Sequence, residues 1–181
     1  LSGENAKYAP VAYIHPGTMN LYGGNLTATG KVSSGGVVIA GCGTLNGVSG
    51  VPGTLQMFGG RIYGGQVYKD GGLITLWDGS VFTMYGGALY NGTADRDGGA
   101  VHVNGGRTAN LYGGRIYQCT AGGNGGGVCV SSKQSNLHLG KLTLENNTAD
   151  QGGNVYHVSD TALTVDGSTV TGGKAVTGGG I

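Results

Sequence analysis

The residues best suited to chemistry lie in a short acidic turn, TADRDGG. It contains Asp95, Arg96 and Asp97, while Lys69 and Asp70 hold the equivalent turn one repeat earlier. An enzyme that cleaves polysaccharides needs clustered acids, either as a general acid paired with a base or as calcium ligands beside an arginine. The chain has only nine acidic residues and offers no second row of carboxylates. We therefore interpret the cluster as turn-forming aspartates with a solvated arginine, and we predict no catalytic residues.

The histidines and cysteines form no recognisable catalytic or metal-binding pattern. His157 takes an inward position on a strand, as a core histidine does, and His102 and His138 are expected to point outward on different strands. A repeat fold brings together equivalent positions of neighbouring repeats, and we find no Ser-His-Asp or Cys-His set among those positions. The cysteines are odd in number, with neither CxxC spacing nor a histidine at metal-finger distance: Cys42, Cys119 and Cys129. We predict no metal site and no cofactor, and the state of the thiols stays open.

The aromatic residues are more suggestive, because two sets of them recur at fixed positions of the repeat. The first set is Tyr22, Phe58, Tyr85 and Tyr112, and the second is Tyr63, Tyr90 and Tyr117. We predict two parallel ladders in which each ring stacks on the ring of the next repeat, worth roughly 0.5–1.5 kcal/mol per pair beyond burial. An exposed aromatic strip is also typical of a surface that binds sugars or a neighbouring molecule. We therefore predict that these residues form a binding or assembly surface.

Three short apolar segments recur and must position these side chains. Segment A has two inward residues around one outward residue: Met19/Leu21, Leu55/Met57, Phe82/Met84, Ala109/Leu111, Leu137/Leu139 and Leu163/Val165. Segment B is marked by Leu26, Ile62, Leu89, Ile116, Leu144 and Val170. Segment C has the inward pairs Ala12/Ile14, Val38/Ala40, Ile74/Leu76, Val101/Val103, Val128/Val130 and Val155/His157. Alternation with a period of two predicts half-buried strands, and this much glycine excludes helices.

The repeat length indicates the architecture. Successive units span about 26 to 28 residues, and a strand that buries one face must stack on its copy in the next unit. We predict a single all-β domain over residues 1–181, a right-handed parallel β-helix or solenoid with three short strands per coil and six to seven coils. Its length would be about 30 Å at the usual strand spacing. The expected right hand rests on the chirality of parallel crossovers and on the resemblance described in the next paragraph.

The repeated text resembles that of a known kind of repeat. The stretches GGAVHV, FTMYGG and ALYNGTA, then GGGVCV, ANLYGG and RIYQCTA, resemble the glycine-rich repeat regions of bacterial extracellular surface and adhesin-type proteins. Their fold is the pectate-lyase-like right-handed parallel β-helix. The resemblance spans essentially the whole chain. It implies display at the bacterial cell surface and does not imply catalysis.

Two irregularities interrupt the repeat. Leu26 and Ile62 are 36 residues apart, and the extra residues form a predicted protruding loop at about 41–53, a candidate contact. The chain begins within segment B and ends at the start of segment C, so both ends cut the repeat without a recognisable cap. Uncapped ends expose strand edges and apolar surface. We therefore predict end-to-end contacts through Leu1 and Ile181, with a second copy or with the continuation of a longer repeat chain.

The composition excludes several classes of protein function. The formal net charge of +1 gives no electrostatic case for nucleic acid, and no apolar run is long enough to insert into a membrane. The 42 glycines lack the Gly-X-Y period of collagen. We expect a non-enzymatic extracellular structural or adhesive protein that self-assembles into a filament or forms part of a long surface rod. The alternative is a carbohydrate-active β-helix enzyme, a polysaccharide lyase or glycoside hydrolase, or a glycan-binding module.

Overall fold

The computed structural model describes residues 2–3, 10–45 and 48–181, and every regular element within them is a β-strand. In chain order the strands are β1 (Ser2–Gly3), β2 (Ala12–Ile14), β3 (Gly17–Leu21), β4 (Asn25–Ala28), β5 (Lys31–Val32), β6 (Val38–Ala40), β7 (Cys42–Leu45), β8 (Val48–Val51), β9 (Gly53–Met57), β10 (Arg61–Tyr63), β11 (Gln66–Val67), β12 (Ile74–Leu76), β13 (Val81–Met84), β14 (Ala88–Tyr90), β15 (Thr93–Ala94), β16 (Val101–Val103), β17 (Thr108–Leu111), β18 (Gly114–Tyr117), β19 (Thr120–Ala121), β20 (Val128–Val130), β21 (Asn136–Gly140), β22 (Leu142–Glu145), β23 (Val155–His157), β24 (Thr164–Asp166) and β25 (Thr169–Thr171).

The strands stack coil on coil into a parallel β-solenoid of about six turns, which confirms the predicted fold class. Segment A forms sheet A, in the order β3-β9-β13-β17-β21-β24. Segment B forms sheet B, in the order β1-β4-β10-β14-β18-β22-β25. Segment C forms sheet C, in the order β2-β6-β12-β16-β20-β23. Each strand therefore pairs with its own copy one coil away.

The register of sheet A follows the sequence repeat. Phe82 of β13 pairs with Leu55 on one side and with Ala109 on the other, and all three side chains are fully buried. The same alternation buries most of the predicted inward residues of sheets B and C in one continuous core, while Ala12, Val170 and His157 are only partly buried. Val165 is exposed and departs from the prediction, because among the described residues β24 is the last strand of sheet A.

A fourth parallel sheet accompanies the three predicted ones. Sheet D contains the two-residue strands β5, β11, β15 and β19, which lie between sheet B and sheet C in four of the coils. Its inward residues Val32, Val67 and Ala94 form a small apolar cluster of their own. A strand of two residues is too short to show alternation in a sequence.

The two positions of a GG pair before segment C require glycine for different reasons. Gly98 has φ of +69°, in the left-handed region that side chains with a Cβ avoid. Gly99 is required by proximity, because a Cβ there would lie 2.2 Å from the carbonyl oxygen of Gly126 in the next coil. The glycines therefore make the coils close-packed and do not act as flexible linkers.

The predicted loop at about 41–53 contains regular structure. Strands β7 and β8 pair antiparallel with each other, apart from the four parallel sheets. Gly53 already belongs to β9, where it pairs with Gly17 of the preceding coil. The insertion is therefore a small two-stranded sheet added between sheet C and sheet A of one coil.

Gln118 offers a test of backbone strain in the turn after sheet B. Its φ is +54°, and the equivalent residues Asn91 and Asn146 have φ of +54° and +56°. Asparagine tolerates this region better than glutamine does, so we expect Gln118→Asn to raise the free energy of unfolding by roughly 0.5–1 kcal/mol. Urea unfolding measures the change. The matched variant Gln66→Asn, at an exposed strand position without positive φ, should give no gain, and an equal gain there would contradict the strain argument.

Candidate functional site

The first aromatic ladder runs along the outside of the solenoid beside sheet A. Ring centroids are 4.9 Å apart for Tyr22 and Phe58, 5.1 Å for Phe58 and Tyr85, and 5.8 Å for Tyr85 and Tyr112. His138 continues the row, 5.0 Å from Tyr112. The four aromatic side chains are 41 to 72 % exposed. The predicted stacking is therefore present, and it leaves a broad aromatic surface open to solvent.

The second aromatic ladder is shorter and more regular. Tyr63 and Tyr90 stack at 4.8 Å with an angle of 5° between ring planes, and Tyr90 and Tyr117 stack at 5.0 Å with 11°. Burial raises the pKa of Tyr90, and its two stacked neighbours raise it further. The guanidinium carbon of Arg115 lies 4.8 Å from the ring centre of Tyr117. Arg115 also binds the Glu145 carboxylate, which places a charged pair at this end of the ladder.

The stacking geometry determines which part of each ring is available. Parallel rings in full contact are separated by about 3.5–4 Å, whereas these centroids are about one strand spacing apart. The near-parallel pairs are therefore offset-stacked, as aromatic pairs prefer, whereas the rings of Tyr85 and Tyr112 are tilted by 31°. Each ring covers part of the face of the next and presents its edge outward. This row of edges suits packing against another apolar ridge better than face-on stacking of sugar rings.

A shallow groove follows the GG turns that separate the two ladders along the chain. It has a volume of about 460 Å³ and crosses three coils, and its lining residues are Gly23, Gly24, Asn25, Gly60, Arg61, Gly87 and Ala88. Glycine is required there by packing, since a Cβ at Gly60 would lie 2.6 Å from the Gly24 carbonyl oxygen. The groove therefore arises from the coil-to-coil packing, and it exposes main-chain groups between two aromatic rows.

A second surface lies on the outer face of sheet C. The outward residues of successive strands are Tyr13, Ile39, Thr75, His102, Cys129 and Tyr156. Two cavities of about 300 and 420 Å³ open over this face and share Ser34, Asp70 and Trp77, so they form one cleft. His102 and Arg107 line one part of the cleft, and Lys69 and Arg96 line the other. We name this surface the sheet C cleft.

The sheet C cleft corrects two expectations about the histidines and cysteines. His102 lies on the outer face as predicted, but it is buried and lines the cleft instead of an open surface. Cys129 is its direct register partner in the next coil. The interpretation that no Cys-His set occupies equivalent positions is therefore wrong. Their spacing of 27 residues, the length of one coil, was the signal in the sequence.

Asp97 joins His102 and Cys129 to form a compact group. One potential ligand atom from each of the three residues lies within 4.8 Å of the others. His102 Nε2 is 2.9 Å from Ser131 Oγ. Burial lowers the pKa of His102, which keeps the imidazole neutral at pH 7, although Asp70 and Asp97 act in the opposite direction. The group therefore combines a carboxylate, a neutral imidazole and a thiol.

The two thiols with described side chains are both free and buried. Burial raises the pKa of Cys129, and the charges of Asp97 and Asp70 raise it further. Burial also raises the pKa of Cys119 to about 12. Protonated, buried thiols are poor nucleophiles. The Cys42 side chain lies outside the described residues.

The acidic turn is held by hydrogen bonds from coil to coil. Asp70 accepts hydrogen bonds from Arg96 Nε at 3.1 Å and from the Asp97 backbone N–H at 3.4 Å. Asp97 Oδ1 accepts from the Asn124 backbone N–H at 2.8 Å and from its side-chain amide at 3.0 Å. Asp95 pairs with Lys31, two coils away, at 2.6 Å. The turn-forming role predicted for these aspartates is thus present, with Arg96 bound to Asp70 and not freely solvated.

The remaining predicted sites lie at the ends of the chain and on sheet C. Ile181 is 53 % exposed, and Leu1 lies outside the described residues. His157 is half-buried and not a fully buried core residue, and its Nε2 has no hydrogen-bond partner among the described residues. The described residues include no helix able to cross a membrane.

Comparison with protein families, with curated proteins and with solved structures finds no match. The parallel β-solenoid therefore rests on the geometry of this chain alone.

Proposed function

We propose that the protein is a non-enzymatic extracellular structural or adhesive rod of the surface-repeat type, and that it associates side by side through its aromatic face. The observation that carries the proposal is the exposed, stacked first ladder of Tyr22, Phe58, Tyr85 and Tyr112. Exposed aromatic patches of this extent on a soluble protein favour association. The row lies along the rod, so contacts on one coil reinforce those on the next.

The charge balance of the protein supports the same proposal. The formal net charge is +1, and several charged side chains are paired within the rod, among them Lys31 with Asp95 and Arg115 with Glu145. Two copies therefore meet with little net repulsion. The last coil also exposes Val176, at 89 %, and Ile181. End-to-end contact through these residues belongs to the same proposed assembly.

Glycan binding is the second candidate, favoured by the groove of the GG turns. An extended sugar chain could lie along the three coils that line it and bond to main-chain groups and Arg61. The offset stacking favours rod-to-rod packing over glycan binding. Sugars bind the faces of aromatic rings, and these faces are partly covered.

The double variant Tyr85→Ser, Tyr112→Ser tests the aromatic face. Sedimentation velocity over a range of protein concentrations should show self-association weakened at least tenfold, since two adjacent exposed rings of the first ladder are lost. Retention on insoluble polysaccharides, measured on the same samples, should change only if the glycan candidate is correct. Circular dichroism should keep its β-sheet signal.

Tyr68→Ser is the matched control, because Tyr68 is 60 % exposed and lies outside both ladders. It should leave self-association unchanged. A wild-type chain that sediments as a dispersed monomer at high concentration, or a double variant that associates as the wild type does, would contradict the proposal.

A further inference from the structure

The sheet C cleft contains a feature that the proposed rod does not need. A solenoid needs only outward side chains that fit between neighbouring coils, and it does not need metal-ligating groups there. Thr75 and Tyr156 occupy two of the outward positions of sheet C. Between them lie His102 and Cys129, one above the other, with Asp97 beside them. Three different metal-ligating side chains at one point of a regular repeat call for a chemical explanation.

We propose that Asp97, His102 and Cys129 bind a divalent cation of the zinc class. Thiolate, imidazole and carboxylate are the ligands that zinc takes in proteins, and the sulfur excludes the hard cations calcium and magnesium as preferred occupants. The three residues supply three of four tetrahedral positions. His102 lines the sheet C cleft, and we assign the fourth position to water or another small ligand that enters from the cleft. This proposal replaces the sequence-based prediction of no metal site.

The distances are compatible with this assignment after a small adjustment. Zinc bonds of about 2.0–2.3 Å place tetrahedral ligand atoms roughly 3.5 Å apart. The three ligand atoms lie within 4.8 Å of one another, so a bound ion would draw them together by about an ångström. Asp97 is only half-buried, so its carboxylate can adjust about the Oδ1 atom that Asn124 holds, without a change in the strands.

Neighbouring groups already orient two of the ligands. Ser131 Oγ is at hydrogen-bond distance from His102 Nε2, and such partners fix the ring of a metal-binding histidine. Asn124 holds Asp97 Oδ1 through its backbone and side-chain N–H groups. Asp70 adds a second negative charge close to the thiol. On binding, the thiol proton leaves to solvent and the cation takes its place.

Cobalt(II) is the probe, because a cobalt–thiolate bond has a charge-transfer absorption that oxygen and nitrogen ligands do not give. Titration of the metal-free chain with cobalt chloride should reach one equivalent and show this band, and zinc chloride should displace the cobalt. Zinc should also raise the thermal midpoint of the chain. Cobalt that binds without the thiolate band, or no binding of either metal, would overturn the proposal.

Variants assign the site to its residues. Cys129→Ser and His102→Gln should each weaken zinc affinity at least 100-fold, since even outer partners of a metal site contribute 10–100-fold. Asp97→Asn is a milder third variant, because its amide oxygen still accepts the Asn124 hydrogen bonds. Cys119→Ser, on another buried thiol, should bind zinc as the wild type does. Equal affinity in the wild type and in Asp97→Asn, Cys129→Ser and His102→Gln would exclude this site.

Discussion

Gly99→Ala is expected to lower the free energy of unfolding by at least about 3 kcal/mol, the upper end of the usual cost of overpacking. The new Cβ would lie 2.2 Å from the Gly126 carbonyl oxygen and 2.7 Å from the backbone of Thr120. All of these atoms belong to the main chain, so no side chain can rotate to make room. The coils would have to move apart, which weakens the Gly99 N–H bond to the Gly125 carbonyl. Urea unfolding followed by circular dichroism measures the loss.

Gly23→Ala is the matched control for this prediction. Neither Gly23 nor Gly99 has φ in the left-handed region, and a Cβ at Gly23 would meet no atom within 4 Å. The two variants therefore differ only in what surrounds the added methyl group. Gly23→Ala should change the free energy of unfolding by no more than about 0.5 kcal/mol. A comparable loss in both variants would show that the cost at Gly99 does not come from the adjacent coil.

The same close approach recurs along the solenoid. A Cβ at each equivalent glycine would lie 2.1 to 2.6 Å from a carbonyl oxygen one coil further on: Gly36, Gly72, Gly99, Gly126 and Gly153. The repeated glycine at these five positions is therefore a packing requirement of the turn before sheet C. It does not indicate a flexible chain, and it accounts for the repeated GG text better than turn propensity alone does.

The main features of the fold could be predicted because they are periodic. Phe82 and Met84 alternate with Thr83, and the same pattern recurs one coil away in either direction, so strand type and stacking follow from one rule. Thr83 also shows the limit of that rule. It occupies an outward position, yet it is buried. Periodicity gives the side of the sheet on which a residue lies, whereas exposure depends on what the neighbouring segments cover.

The sequence analysis missed the candidate metal group because periodicity does not show which outward residues are buried. The sequence places His102 and Cys129 at equivalent positions, but the alternation of inward and outward residues predicts that an outward residue is exposed to solvent. Asp97 comes close to them only because the turn before β16 folds beside the outer face of sheet C. That contact follows from turn geometry and not from the repeat. The aromatic ladders were predictable because each ring stacks on the ring at the equivalent position of the next coil.

The two proposed surfaces can be tested separately because they lie on different sheets. The first ladder follows sheet A, and the metal group lies on sheet C. Loss of Tyr85 and Tyr112 should therefore leave zinc affinity unchanged, and loss of Cys129 should leave association unchanged. If removal of the metal also abolished self-association, the cation would instead affect the structure of the whole solenoid, through the core between these sheets.

Phe82→Ala is expected to lower the free energy of unfolding by about 3–5 kcal/mol, because it leaves a phenyl-sized cavity in the core. Phe82 is fully buried and lies between Leu55 and Ala109 in neighbouring coils. The small side chain of Ala109 leaves room for the ring. Ala109→Phe should therefore cost about 1–3 kcal/mol by overpacking. The double variant Phe82→Ala, Ala109→Phe restores the total volume and should lose at least about 1 kcal/mol less than the sum of the single losses. Strictly additive losses in urea unfolding would mean that the two positions do not share one packing space.

Phe58→Ala is the control for the loss of an aromatic ring, because Phe58 is exposed. It should lower the free energy of unfolding much less than Phe82→Ala does, which separates the effect of core volume from that of aromatic stacking.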